Sequence, residues 1–346
     1  MQLRMGLVGC GPRQRQHMTA LRQVPELKVA ACVDIDAQRL QDFGQAYGLG
    51  PGQRFRTVGD MLAAEHIDVA TVVTSPRVRL EIVQVLAQGG VRAILVEKPM
   101  ALELEDAYQM LRVCTDAGIQ LMVNHQYRFL PFVGAIREAL VSDSLGKIEY
   151  VRTTCPMNLH AHAVHMIDLA NYLVGDEPLE WVLGNVGGTG AFASKHPGPD
   201  SAIATFAYRN GIRLHLECGP QSPRSDDRAK LHLYIEVVGD RGRAWGGIDS
   251  GYRIVTGGAA PREMRDLWST GQTVAQVALF RHIVQTVVDQ RADENLCRAS
   301  LGVRTIEAVI GTMQSALEHR IVSLPPQVPP GYLEQVRRTL TGVSGA

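Results

Sequence analysis

The first 123 residues alternate between short, wholly apolar runs and longer stretches with helical spacing. Leu3–Gly9, Leu27–Val33, Val69–Val73, Ala93–Val96 and Gln120–Val123 are the apolar runs. The stretch from Pro12 to Val24, and then Ala37–Tyr47, Met61–Ala64, Leu80–Gln88 and Glu103–Ala117, read as helices, with Gly89-Gly90 stopping the fourth. Strands without a polar face, each followed by a helix, predict a parallel sheet covered on both sides. After about residue 124 the period changes. Ile212, Leu214, Leu216 and Cys218 alternate with Arg213, His215 and Glu217; Leu231, Leu233, Ile235 and Val237 alternate with His232, Tyr234 and Glu236. A period of two predicts antiparallel strands with one packed face and one more polar face. A further strand is expected near 201–208. Segments 187–200 and 219–229 read as loops from their glycines and prolines. Two helices close the pattern, one with Val277, Phe280, Val284 and Val287 on a face, the other with Ile306, Val309, Ile310, Met313 and Leu317. The expected division is 1–123, then 124–330, then a loosely held tail over 331–346 beyond Pro325-Pro326.

Composition narrows the class. At 346 residues the chain is long enough for about two domains. Apolar residues make up 45% and charged residues 20%, a mix that argues against disorder. Thirty-five basic residues balance thirty-five acidic ones, so no net charge favours a nucleic acid or an anionic membrane as partner. No apolar run reaches the roughly 18 residues of a membrane span. Met1–Gly9 already reads as a strand and lacks the marks of a signal peptide. Cys10, Cys32, Cys114, Cys155, Cys218 and Cys297 are scattered without a C-x-x-C pair and read as buried free thiols. A cytoplasmic protein is expected.

The turn after the first strand, Gly9-Cys10-Gly11-Pro12-Arg13-Gln14, opens a helix. A dinucleotide pyrophosphate needs backbone N–H groups at close range and a positive helix end, and Gly9 and Gly11 permit both. Gln14 stands where the third glycine of G-x-G-x-x-G belongs, and an ordinary strand-to-helix turn is the alternative. Asp34 ends the second strand, 25 residues after Gly9, where an acid bonds the adenosine ribose hydroxyls. Its charge repels a 2′-phosphate, which favours NAD over NADP. Arg39 lies within reach to offset that charge, so NADP stays possible. The alternative for Asp34 is a helix N-cap.

The most specific residues are Glu97-Lys98-Pro99, a buried strand ending in E-K-P. With Gly9-x-Gly11 and His17, the Thr74-Ser75-Pro76 turn, Tyr127-Arg128-Phe129 with Pro131, His165-x-x-Asp168 and the Val322-x-Leu324-Pro325 end, the chain resembles the Gfo/Idh/MocA family of oxidoreductases over roughly residues 1 to 326. The resemblance implies an α/β protein with an N-terminal Rossmann domain, a doubly wound parallel sheet, and a C-terminal α/β domain built on a large open mixed sheet. It implies NAD(P)-linked chemistry on sugars, cyclitols or related polyols, in homodimers or homotetramers. It implies cofactor contacts at Gly9, Gly11, Pro12, Arg13, Asp34, Thr74, Pro76, Glu97 and Lys98. Three departures stand out: Gln14, then Arg79 where many relatives carry histidine, and Ala161 where sugar-oxidising relatives carry an aspartate four residues before the histidine matching His165.

Moving a hydride from a carbinol carbon requires removal of the hydroxyl proton, and a neighbouring cation can stabilise the alkoxide. Lys98, at the carboxyl end of a parallel strand, is the candidate cation; a solvated lysine is the alternative. His165 is the candidate proton acceptor. His160, His162, His165 and Asp168 fall at the start of one helix, where residues three apart are neighbours. His160 or His162 can fill the space left by Ala161, or both are simply polar residues at a helix start; Asp168 can orient His165 or simply lie behind it. A metal held by these residues with Cys155 is the competing reading, although the spacing matches no zinc signature, and no metal is expected. Asn124, Tyr127, Arg128, His162 and Asp168 are candidate substrate contacts. Arg128 either binds an anionic substrate group or makes an interdomain ion pair. Trp181, Trp245 and Trp268 read as packing residues. The leading expectation is an NAD(P)-dependent dehydrogenase or reductase on CH–OH groups of a polyol. The alternatives are a redox-neutral enzyme with retained NAD and a non-catalytic NAD-binding regulator.

Overall fold

The computed structural model describes residues 2–223, 233–248, 250–264 and 268–342. Leu231, His232 and most of the expected 219–229 loop lie outside the described residues. The chain forms two units: Met1–Ala101, Glu105–Gln126 and Thr273–Gly302 make the first; Leu102–Leu104, Tyr127–Gln272 and Val303–Ala346 make the second.

The first unit follows the expected alternation. Its strands are β1 (Leu3–Val8), β2 (Leu27–Val33), β3 (Arg54–Phe55), β4 (Val69–Val72), β5 (Ala93–Val96) and β6 (Gln120–Val123). Between them run α1 (Pro12–Leu21), α2 (Ala37–Tyr47), α3 (Val58–Ala64), α4 (Arg79–Gln88) and α5 (Leu104–Asp116). The six strands are all parallel in the order β3-β2-β1-β4-β5-β6. Apolar side chains on both faces explain why the strands show no alternation: β4 and β5 are buried throughout. The order reverses between β1 and β4, the switch point at which doubly wound sheets bind ligands.

The second unit carries α6 (Pro131–Val141), β7 (Ile148–Cys155), α7 (Val164–Leu173), β8 (Leu179–Gly187), β9 (Ser201–Tyr208), β10 (Arg213–Cys218), β11 (Tyr234–Gly239), β12 (Gly242–Gly247), β13 (Gly251–Thr256) and β14 (Arg262–Met264). The helices α8 (Trp268–Val288) and α9 (Ala299–Glu318), the strand β15 (Val322–Ser323) and α10 (Tyr332–Thr341) complete the chain. The nine-stranded sheet has the order β14-β13-β12-β11-β7-β10-β9-β8-β15. It is mixed: β10 runs antiparallel to β9, as its alternation predicts, but parallel to β7. Register divides its faces. Val182, Phe206, Leu214, Val151, Val237, Ala244 and Ile254 lie side by side across seven strands, all buried.

Two boundaries differ from expectation. Residues 273–302 join the first unit because Gln120 Nε2 donates to the Thr286 carbonyl at 3.2 Å, Arg92 to that of Val287 at 2.8 Å, and the Val123 N–H to that of Cys297 at 2.8 Å. The segment after Pro325-Pro326 is no loose tail. Its helix α10 buries Tyr332, Leu333 and Val336, and the Tyr332 N–H donates to Glu103 Oε2 at 3.1 Å. All six cysteines are free and buried. Among the described residues no helix is long and apolar enough to cross a membrane.

Candidate active site

The turn between β1 and α1 fits a dinucleotide. Gly9 has φ +94°, and a Cβ there would lie 2.4 Å from the Val73 carbonyl oxygen, so only glycine serves. Gly11 is the N-cap of α1, with no side chain capping the helix and Pro12 in the first turn. A Cβ on Gly11 would meet no atom of the chain. The first N–H groups of α1 thus keep the positive end that binds phosphate. Gln14 is fully buried and accepts a hydrogen bond from Thr71 of β4 at 3.3 Å. It replaces the close packing of a third glycine with a polar tie between helix and sheet.

Asp34 is not the N-cap of α2. That cap is Asp36, whose carboxylate accepts from the Arg39 N–H. Asp34 Oδ2 instead accepts the Cys10 N–H at 2.8 Å, Oδ1 accepts the Asp36 N–H at 2.9 Å, and Arg39 lies 3.3 Å from Oδ1. One buried carboxylate therefore ties the end of β2 to the glycine turn.

At the carboxyl end of β5, Glu97 gathers a second cluster within the first unit. Its Oε1 accepts from Arg13 Nε at 2.8 Å, His17 Nε2 at 2.9 Å and Asn124 Nδ2 at 2.7 Å; Oε2 accepts from the Lys98 N–H at 3.2 Å. Arg13 also donates to Gln126. Burial alone would raise the Glu97 pKa, but Arg13 and His17 outweigh it and hold the carboxyl well below its ordinary range. Burial lowers the His17 pKa despite its bond to Glu97. Each charge-assisted bond contributes roughly 1.5–3 kcal/mol, so the three together fix where β5 ends and Lys98 begins. Lys98 itself is half-buried, and the Lys98–Pro99 peptide is cis. Asn124, expected as a substrate contact, donates its amide to Glu97 and, at 3.3 Å, to Gln276 of α8. Arg13 likewise turns its guanidinium to Glu97. Thr74 and Pro76 stand in the turn after β4, with Pro76 buried.

In the second unit, Asn158 caps a π-helical turn over Leu159–Ala163 that leads into α7. Its Oδ1 accepts the Ala161 N–H at 2.8 Å, and its amide donates to the His196 carbonyl at 2.9 Å. The turn buries His160 and Ala161 and leaves His162 half-buried. His165 follows in the first turn of α7, buried, with the Tyr127 ring stacked on its own at 3.9 Å between centroids and 23° between planes. Tyr127, expected as a substrate contact, thus packs directly on His165. Arg128 departs further. Its guanidinium, buried, bonds both carboxylate oxygens of Asp168 at 2.9 and 2.8 Å and both of Asp176 at 2.9 and 2.8 Å. Burial works against the charge, but the two aspartates outweigh it and raise the Arg128 pKa above its ordinary value. The donors of Arg128 go to these two aspartates, and both ion pairs lie within the second unit. Asp168 is the inner half of that pair. Among the described residues no group of three or more His, Cys, Asp or Glu is placed to hold a metal.

Two contributors were invisible in the sequence as parts of the site. Gln276 reaches Asn124 from 152 residues away, and nothing local marks it. Arg79, conspicuous only as a departure, is buried against the backbone around Lys98.

Residues 3–125 match the family model of an oxidoreductase family with an NAD-binding Rossmann fold, and residues 139–324 match that family's C-terminal α/β domain. The chain belongs to the Gfo/Idh/MocA family. As a Gfo/Idh/MocA oxidoreductase it is similar to D-apiose dehydrogenase of Paraburkholderia graminis, 27% identical over 92% of this chain and 88% of that protein. It is also similar to inositol 2-dehydrogenase of Rhizobium meliloti, 27% identical over 70% and 74% of the two chains. The fold is shared with a crystallised oxidoreductase from Agrobacterium radiobacter in complex with NAD+, L-tartaric acid and magnesium. That likeness has a TM-score of 0.83 at 19% identity and covers 93% of this chain and 98% of the other. An inositol dehydrogenase homolog from Azotobacter vinelandii, complexed with NADH and myo-inositol, superimposes with a TM-score of 0.79 at 17% identity over 93% and 98%.

Proposed function

We propose that the protein is an NAD-dependent oxidoreductase moving a hydride between the nicotinamide and a hydroxyl or ketone carbon of a sugar, cyclitol or related polyol. The observation that carries this reading is the Glu97 cluster. A carboxylate held by Arg13, His17 and Asn124 at the end of β5 supports Lys98 at the carboxyl edge of a parallel sheet, one strand beyond β4 and the switch point. Bound NAD supplies the hydride acceptor. Gly9, Gly11 and the start of α1 receive its pyrophosphate, and Asp34 its ribose. Lys98 donates a hydrogen bond to the substrate oxygen and stabilises the developing alkoxide. His165, its ring plane fixed by Tyr127, takes the hydroxyl proton. The D-apiose and inositol dehydrogenases named above make a vicinal polyol the first substrate class to try.

One observation favours a second reading. The position that would complete a Lys–Asp–His trio is the buried Ala161, so a non-catalytic NAD-binding regulator is the alternative. We also propose that the protein assembles as a homo-oligomer. Single-turnover reduction of NAD by myo-inositol and D-apiose tests the catalytic reading. Lys98→Met and His165→Ala should each slow the transfer about 10²–10⁴-fold, with NAD affinity largely intact in Lys98→Met because its main duty is at the reacting carbon. Near-normal transfer in both variants would sink the assignment of these residues. Tight NAD binding with no transfer to any polyol would favour the regulator.

A further inference from the structure

Arg79 is the first residue of α4 and only 2% exposed. A cation is costly to bury, and the usual compensation is a carboxylate. The hydrogen bonds of Arg79 go to backbone carbonyls instead. One guanidinium nitrogen donates to the carbonyls of Glu97 and Pro99, on either side of Lys98. The other donates to the Thr74 carbonyl at 2.7 Å. Its Nε has no hydrogen-bond partner among the described residues. Burial lowers the Arg79 pKa to about 10 although the Glu97 charge opposes this, so the side chain stays cationic at neutral pH.

The acceptors belong to two loops. β4 and β5 are paired neighbours, Val72 against Val96, so the turn after β4 and the E-K-P turn after β5 leave the sheet side by side. Asp34 at the end of β2 places the adenosine half of a dinucleotide on the other side of the switch point. A dinucleotide held there would reach across the switch point toward the carboxyl ends of β4 and β5. A planar fork with five donors can bridge carbonyls on two loops; an ammonium or an apolar side chain of similar volume cannot do so in the same geometry.

We infer that Arg79 is a positioning residue that pins the backbone on both sides of Lys98 and ties it to the Thr74–Pro76 turn, holding the lysine at a fixed spacing from the nicotinamide. The role given to Lys98 rests on the dehydrogenase reading; the brace itself does not.

The test uses the full chain with Arg79→Met and Arg79→Lys. Hydrogen exchange should quicken in Arg79→Met over residues 97–103 and 73–78 while β1 and β2 keep their protection, and millimolar guanidinium should restore it. With myo-inositol or D-apiose, kcat should fall roughly 100-fold, the cost of a displacement near 1 Å. NAD affinity and KM should change little, and guanidinium should recover part of the rate. Arg79→Lys should recover less than added guanidinium does. Unchanged exchange over 97–103, exchange that rises across the whole sheet, or an unaltered kcat would each overturn the inference. If no polyol reduces NAD with the unaltered protein, the dehydrogenase reading fails, and the exchange pattern with and without guanidinium decides the brace by itself.

Discussion

At Asp34 one carboxylate oxygen accepts the Cys10 N–H, the other accepts the Asp36 N–H, and Arg39 stands 3.3 Å away. The acid therefore shapes the phosphate turn as well as bearing the charge that would meet a ribose. The two duties separate by substitution. Asp34→Asn keeps a carbonyl oxygen for the Cys10 N–H but loses the charge and the acceptor of the Asp36 N–H; Asp34→Ala loses all three. Hydrogen bonds to a charged group contribute about 1.5–3 kcal/mol, which corresponds to roughly 10–150-fold in affinity. Asp34→Asn should weaken NAD binding near the lower end of that range and narrow the preference over NADP, because Arg39 then keeps only one of its two carboxylate partners, Asp36. Asp34→Ala should weaken both cofactors further by loosening the turn. Titration calorimetry with NAD and NADP checks this, and tighter NADP than NAD binding by the unaltered protein would contradict the role given to Asp34. Gly9 and Asp34 were legible because they stand in a short motif whose turn geometry demands them, and Lys98 and His165 are singled out by motif alone, their roles remaining those proposed above. The partners of Arg13, Asn124 and Arg128 were not legible. A long polar side chain reads alike in sequence whether it faces a ligand or a buried carboxylate, and Asp168 and Asp176 meet Arg128 from 40 and 48 residues away.

Elements with a strong pattern, an unbroken apolar run or a helical period, were readable to within a residue or two: β2, α2, β5 and β6 match their expected bounds. Those without one were missed. β12 is Gly-Arg-Ala-Trp-Gly-Gly, with no β-branched residue, and forms because β11 and β13 pair with it. β7 ends in Thr153, Thr154 and Cys155, buried but without an apolar stripe. The π-helical turn before α7 is a further element that no pattern announces, and it carries a measurable signature. His160 is fully buried there, and a Cβ on Gly198 would lie 3.1 Å from its Nδ1. Burial lowers its pKa to about 4 although its contact with the Pro197 backbone opposes this. The ordinary value is 6.5, so as pH falls the unfolded chain takes up this proton first. Stability from His160 is complete above about pH 6.5 and is lost as pH falls toward 4, to the extent of roughly 3 kcal/mol. Urea unfolding at pH 7, 5.5 and 4.5 should show a steeper loss in the unaltered protein than in His160→Asn, by up to one proton. Parallel pH dependences in the two proteins would refute it.

For the molecule as a whole, the second sheet presents two unlike faces. Its inner face is the buried apolar row through Val182, Leu214, Val237 and Ile254. One register position along, the opposite face presents Leu183, Thr205, His215, Arg152, Glu236, Trp245, Arg253 and Glu263 in a row across eight strands. Ile203, 65% exposed, and Tyr234 lie in the adjoining row, and Arg243 and Arg253 stack on Trp245. This face holds a groove of about 1080 Å³ lined by polar and apolar groups together. Alternating charge and aromatic surface of this breadth suits a partner of the same kind, since a twofold contact lets each charge meet its complement in the other copy. A standard interface removes about 800 Å² from each partner, which a nine-stranded face can supply. Sedimentation velocity at micromolar concentration should therefore give a dimer or larger species. Ile203→Asp should weaken the assembly at least tenfold, about 1.4 kcal/mol or more, without altering the unfolding transition of the first unit. A monomer across that concentration range would remove the proposed homo-oligomer and leave this face to solvent.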